Sequence, residues 1–259
     1  NRESGKQPFV TWEEITEMSS SGTIDFQSHS YMHELIYTSP KIVNFLHSSL
    51  IKRYSQFEIQ SFISQKNGTS ASIENMLGMP LYESSPRMSG KLRYIDSEQL
   101  KHKCIDHVRR NAGENFFTKD GWEKDLMNIA QNCASYHNQK ISFETQKERN
   151  EAIEYSLAKS KEILENGLNG PEIIHFCYPW GIGSNLAVQL SKKVGYLSNF
   201  WGKATHKLCN RIVHDTYRIN RIGEDFIFML PGKGRKTLSQ LLFKKFLKFS
   251  KYGSPYLTH

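Results

Sequence analysis

Residues 173–184 read Ile173-Ile174-His175-Phe176-Cys177-Tyr178-Pro179-Trp180-Gly181-Ile182-Gly183-Ser184, and the fold turns on them. The first six form a short apolar run of the kind that makes a buried strand. Pro179 and the glycines at 181 and 183 force a turn. Ser184 then caps a helix carrying Leu186, Val188, Leu190 and Val194. Upstream, Thr145-Gln146-Lys147-Glu148 is a capping box. It opens a helix in which Ile153, Leu157, Ser160 and Leu164 recur at helical spacing, with Gly167 as the expected stop. Downstream, short strands are predicted at about 196–201 and 217–222. Strands alternating with helices imply a sheet of parallel character, either open α/β or a barrel.

The N-terminal part continues the pattern. Thr11-Trp12-Glu13-Glu14 is another capping box, opening a short helix that turns Ile15 and Met18 inward and ends at Ser19-Ser20-Ser21-Gly22. Ile24-Asp25-Phe26-Gln27-Ser28 alternates apolar and polar residues, as a half-buried strand does. Immediately after it comes His29-Ser30-Tyr31-Met32-His33. Ile42, Phe45, Leu46 and Leu50 predict an amphipathic helix over 40–54 with Pro40 in its first turn. From about 64 to 100 the chain is rich in Gly, Ser, Asn and Pro and reads as long loops. Helices are predicted at 97–111 and 120–137, and no internal repeat is visible.

Composition narrows the function classes. The chain has 259 residues, 38% apolar and 23% charged, which is ordinary globular composition without a disorder or coiled-coil bias. Its longest apolar runs are a few residues, so no transmembrane helix fits. No apolar leader stands near the start, and the chain begins with Asn1, so an upstream segment is expected to have been removed. The formal net charge of +8 is concentrated at one end. Residues 231–259 carry seven cations (Lys233, Arg235, Lys236, Lys244, Lys245, Lys248, Lys251) and no acid, which leaves 27 cations against 26 acids in residues 1–230. The near-neutral body gives no electrostatic footprint for nucleic acid, and none is expected as a partner. Cys104, Cys133, Cys177 and Cys209 lack metal or redox spacing and read as reduced core thiols.

Two clusters can carry chemistry. His29 and His33, four apart, lie on one helical face or on a tight turn, close enough to share one cation, and imidazole suits Zn, Fe, Co or Ni. With ten histidines in the chain, roughly 0.4 such pairs are expected by chance, so placement must add weight. It does: the pair follows a predicted strand, where α/β folds place their sites. The other cluster, Tyr178-Pro179-Trp180-Gly181, also follows a strand. A rigid turn there could offer a backbone N–H to a developing oxyanion and a ring to a sugar, or could be a turn with a packed Trp.

Together these residues resemble the polysaccharide deacetylase family (the NodB-homology domain of carbohydrate esterases). The likeness covers roughly residues 9–35, through Thr11 to Met18 and the His-Ser-x-x-His of His29-Ser30-Tyr31-Met32-His33, and 144–223, through Phe176-Cys177-Tyr178-Pro179-Trp180-Gly181. The resemblance implies a distorted (β/α) barrel of the glycoside hydrolase/deacetylase type that removes an N-acetyl or O-acetyl group from a glycan. It implies His29 and His33 as ligands of a divalent metal, usually Zn. It gives the Trp180 backbone N–H as oxyanion donor, and Tyr178 and Trp180 as rings flanking the sugar. The family's Asp-Asp motif would lie upstream of residue 9. No Asp stands there and no Asp-Asp pair occurs in the chain, so the barrel is expected to lack its first strand or strands, to hold metal weakly and to be poorly active. The Arg that usually precedes the motif's Pro is replaced by Cys177 or Tyr178, and Arg218 or Arg221 would stand in for it. His206 or His214 would replace the family's acidic His.

This resemblance predicts a deacetylase-like domain over 1–230, with an insertion at about 56–143 and a basic amphipathic tail over 231–259. Leu238, Leu241, Leu242, Phe246 and Phe249 stand between the lysines of that tail. It reads as a docked terminal helix, or as a weak contact for a membrane surface or anionic glycan through 233–251. The rival reading is a carbohydrate-binding relative that keeps the fold without the catalytic Asp.

Overall fold

The computed structural model describes residues 10–53, 73–133, 141–168, 170, 172–203, 215–221, 235–240 and 242–243. The expected parallel sheet is present. Strands β3 (His175–Cys177), β4 (Ser198–Lys203) and β5 (Ile219–Arg221) pair in parallel in that order. The β3–β4 connection is the helix Asn185–Val194, whose first turn is capped by the Ser184 hydroxyl accepting from the Ala187 N–H at 3.1 Å. Ser28 joins the far side of β3 by a single parallel bridge to Phe176. The predicted strand over 24–28 therefore contributes only its last residue. Gln27 explains why: its side-chain carbonyl, not a strand backbone, accepts the His175 N–H at 2.8 Å.

The two capping boxes form as read. Thr11 and Glu14 exchange hydrogen bonds of 2.9 and 3.2 Å at the head of helix α1 (Trp12–Ser20). Thr145 and Glu148 do the same ahead of the long helix Gln146–Leu168, whose stripe Ile153, Leu157 and Ser160 is buried. Gly167 is not the stop, since the helix runs on to Leu168. Its missing side chain serves packing instead: a Cβ there would run into the ring of Trp12.

The second sheet was not expected. Strand β1 (Leu35–Phe45) pairs antiparallel with β2 (Pro80–Pro86), from Leu35 opposite Pro86 to Phe45 opposite Pro80. This replaces most of the helix predicted over 40–54, of which only Ser48–Arg53 is helical. The register slips between Tyr37 and Ile42, and Pro40, which cannot donate to a ladder, falls inside that irregular stretch. The loops predicted over 64–100 include β2 and the start of helix Glu98–Arg110. That helix and Trp122–Gln131 match the predicted helical segments.

Each sheet has its own core. Tyr37, Phe45, Tyr82, Tyr94, Leu100 and Cys104 pack in the hairpin lobe. Ile153, Leu157, Ile173, Phe176, Tyr178 and Tyr196 pack between the parallel sheet and the long helix. The two sheets are open and separate, so no closed barrel forms among the described residues. Cys104 and Cys133 are buried thiols and Cys177 is half-buried, while Cys209 lies outside the described residues. No described helix is long and apolar enough to cross a membrane. Most of the basic tail also lies outside them, and the Leu238, Leu242 and Phe243 that fall within are exposed.

Candidate functional site

The site is assembled at the carboxyl end of β3, where ligands collect in parallel α/β sheets. One wall is the segment leaving Ser28. The long helix Gln146–Leu168 fixes it at two points: the Ser28 and Ser160 hydroxyls meet at 2.5 Å, and the Tyr31 N–H donates to the Ser156 hydroxyl at 3.3 Å. Tyr196 supports the first contact, its hydroxyl donating to the Leu157 carbonyl at 3.0 Å beside Ser160. Between these anchors the backbone makes a tight turn. Ser30 and His33 both adopt left-handed conformations (φ 74° and 45°), and the Ser30 hydroxyl accepts the His33 N–H at 3.0 Å.

That turn brings the histidines together, with ring centroids 5.0 Å apart. His29 Nδ1 lies 2.7 Å from the Cys177 carbonyl oxygen, which can only accept. Nδ1 therefore carries the proton and Nε2 keeps its lone pair. Burial holds the His29 pKa below its ordinary value; the bond to Cys177 opposes this and the nearby charge of Arg221 reinforces it. A neutral imidazole with a fixed tautomer is the ligating form.

The other wall is the turn Pro179–Gly181. Trp180 is left-handed (φ 51°), and its ring centroid stands 4.0 Å from that of His33. Four non-glycine residues among those described have positive φ, and three of them (Ser30, His33, Trp180) lie in these two facing turns. Such backbone strain concentrates where surrounding structure over-determines it, commonly at functional sites. Gly181 (φ 71°) packs its Cα side against Gly202 of β4, so no side chain fits there. Arg221, at the end of β5, is aimed by its Nε donating to the Trp201 carbonyl at 2.7 Å.

The structure thus gathers His29, His33, Trp180 and Arg221. Tyr178 is different. Its ring is fully buried in the core between Phe176 and Trp201, so it cannot flank a sugar. The period of two that runs through β3 into the extended residue after it puts Phe176 and Tyr178 on one face, a signal that was available in the sequence. Arg218 is occupied by Asn185, Asp215 and the face of Trp201. His206 and His214 lie outside the described residues. Two nitrogen donors make half a metal site, and no third His, Cys, Asp or Glu completes a cluster among the described residues.

Sequence reading missed two supports. Arg87 is 3% exposed, bonds Glu144 at 2.5 Å and Glu34 at 3.2 Å, and so ties the residue after His33 to the hairpin lobe and to the entry of the long helix. Burial alone would depress its pKa, but its bonds to Glu144 and the two carboxylate charges hold it above the ordinary value. Asn199, buried in β4, donates from Nδ2 to the Tyr178 hydroxyl (2.8 Å) and to the Ser191 hydroxyl (2.7 Å), while its Oδ1 has no partner among the described residues. Nothing in the sequence marks either: Arg87 falls in a stretch that reads as loop, and Asn199 is one of several polar residues in a short strand.

No protein-family model and no curated protein matches the chain. Solved structures to which it is similar include a de-N-acetylase from Aggregatibacter actinomycetemcomitans (12% identity, TM-score 0.42) and the BpsB deacetylase domain from Bordetella bronchiseptica (13% identity, TM-score 0.44). In both cases 83% of this chain covers 48% of the other, so it spans about half the length of the structures it matches. At that distance the likeness carries no residue assignment.

Proposed function

We propose that the chain is a metal-dependent glycan deacetylase domain, hydrolysing an N-acetyl or O-acetyl group on a polysaccharide. The observation that carries this reading is the facing of two strained turns, one presenting the His29 and His33 rings and the other Trp180, at the end of a parallel strand. His29 and His33 would hold a divalent cation, most simply Zn²⁺, with His29 oriented by the Cys177 carbonyl. The cation when bound supplies Lewis-acid polarisation of the acetyl carbonyl and a water acidic enough to attack it. The Trp180 N–H would donate to the carbonyl oxygen as negative charge develops there. The Trp180 ring, half-exposed, would pack on the sugar, and Arg221 would add positive field behind the same oxygen. His214 is the candidate proton donor to the leaving group. In this reading the body over 1–230 is the deacetylase domain and 56–143 the part that selects the substrate.

Titration of the chain with zinc, followed by acetate release from N-acetylglucosamine oligomers, tests this. Weak zinc binding and slow acetate release are expected, because two nitrogens are the described donors. His29→Ala and His33→Ala should each lower affinity at least tenfold, and acetate release should stop on chelation and return with zinc. Zinc affinity unchanged in both variants, or hydrolysis indifferent to chelation, would sink the proposal. Saturable glycan binding with no hydrolysis at any zinc concentration would instead make the chain a carbohydrate-binding relative.

A further inference from the structure

The short turn Arg87–Ser89 and the Gly90 that ends it follow directly on β2 and touch the roots of both walls of the site. At one end, the Arg87 backbone N–H donates to the Glu34 carbonyl at 2.9 Å and its Nε to the Glu34 carboxylate at 3.2 Å, and Glu34 is the residue after His33. At the other end Gly90 is left-handed (φ 73°). It lies so close to Ser184 that an added Cβ would come within 2.7 Å of the hydroxyl oxygen and 3.1 Å of the Ser184 Cβ. Ser184 closes the stretch that leaves Trp180 and caps the helix after it. The piece between the two ends is anchored. Met88 is 2% exposed in the core that holds Phe176, Ala187 and Val188, and the Gly90 carbonyl accepts from Arg149 at 3.3 Å. Arg149 belongs to the first turn of the long helix, which also holds the histidine turn through Ser156 and Ser160.

We infer that Arg87–Gly90 is a positioning strut, which fixes the spacing of the two turns and so holds the His33 ring 4.0 Å from that of Trp180. Both of those residues have left-handed backbones (φ 45° and 51°), a conformation that a residue with a side chain keeps only where its surroundings impose it. Each turn therefore needs a brace from outside itself, and one short segment supplies a brace to each. Arg87 and Gly90 touch no reacting atom; they act through His33 and Trp180. Ligating and donor groups lose their function when displaced by a fraction of an ångström, so the strut sets how well the site can hold a cation. That consequence rests on the deacetylase reading above. The spacing of the rings does not, and it can be read in the chain without metal.

Proton NMR of the metal-free chain with labelled histidine tests the strut, because the Trp180 ring current displaces the His33 ring protons. Trp180→Leu marks their undisplaced position. Gly90→Ala should move these resonances at least halfway to it. Ser184→Gly removes the atoms that the new methyl meets and still caps a helix, so the double variant should restore them. Glu34→Ala, which leaves the Arg87–Glu144 pair in place, should also move them, and Glu34→Gln, which keeps an acceptor for Arg87 Nε, should not. Leu168→Ala, at the last residue of the long helix, weakens the same core and should lower the urea midpoint with the resonances unmoved. Zinc affinity should follow the resonances, falling roughly tenfold in Gly90→Ala and Glu34→Ala. Resonances unmoved in both variants, moved equally in Leu168→Ala, or unrestored by Ser184→Gly overturn the strut and leave the deacetylase reading standing. Resonances that move as described in a chain that binds no zinc through His29 and His33 uphold the strut and sink that reading.

Discussion

Arg87 shows what single side chains contribute here. Its guanidinium and the Glu144 carboxylate are each 3% exposed, and Glu144 also accepts the Arg93 N–H at 2.8 Å. A buried pair adds little net stability, because desolvating both charges offsets their attraction, but removing one partner strands the other in a poor dielectric. Arg87→Ala should therefore destabilise the protein by about 3–5 kcal/mol in urea unfolding. Arg87→Lys should recover only part of this, since an ammonium cannot fork between Glu144 and Glu34. A loss below about 1 kcal/mol for Arg87→Ala, the value of an exposed pair, would show that the charges are not stranded. His29 illustrates the same principle at the site, where one carbonyl, that of Cys177, decides which ring nitrogen can ligate.

Among the elements, the Pro179–Gly181 turn couples backbone geometry to the site. Gly181 is left-handed, and an added Cβ would meet the Gly202 backbone. Gly181→Ala should thus cost more than the ~1 kcal/mol usual for a side chain forced to positive φ, because the turn must also move off β4. It should be visible as a lower urea midpoint together with altered Trp180 fluorescence; a midpoint equal to that of the unaltered chain would contradict the packing described. What was legible in the sequence follows the range of the interactions. The capping boxes at Thr11 and Thr145 and the stripe Ile153-Leu157-Ser160 depend on neighbours three or four residues away, and they form as read. The β1–β2 hairpin depends on Leu35 finding Pro86 across the chain, and the spacing of Ile42, Phe45 and Leu46 fits a helix equally well. At the site, the His29/His33 spacing was legible, but the left-handed backbone that converges the rings is set by Ser30 and the long helix. The Arg87 network, with partners on either side of a lobe, leaves no local signature.

For the molecule as a whole, buried acids whose ionisation is pushed upward weaken the fold at alkaline pH. Burial, aided by nearby Cys133, pushes the Cys104 thiol from 9.0 to about 12. Burial likewise raises Tyr37, Tyr178 and Tyr196 above the ordinary phenol value. Groups whose folded pKa is raised stabilise the fold fully below their unfolded pKa, and that contribution is lost as pH climbs toward the folded one. Thermal stability should thus show no loss from these groups below about pH 9 and should fall steadily between pH 9 and about 12. A melting temperature constant across that window would mean these side chains are solvated. The charge cluster at Arg87 bears on a different question, how such a chain can be recombined. The cation comes from within residues 56–143, whereas Glu34 and Glu144 lie on either side of that stretch. Grafting a foreign segment between them would leave two carboxylates facing each other with no counterion. A viable chimera must bring its own arginine or neutralise both glutamates.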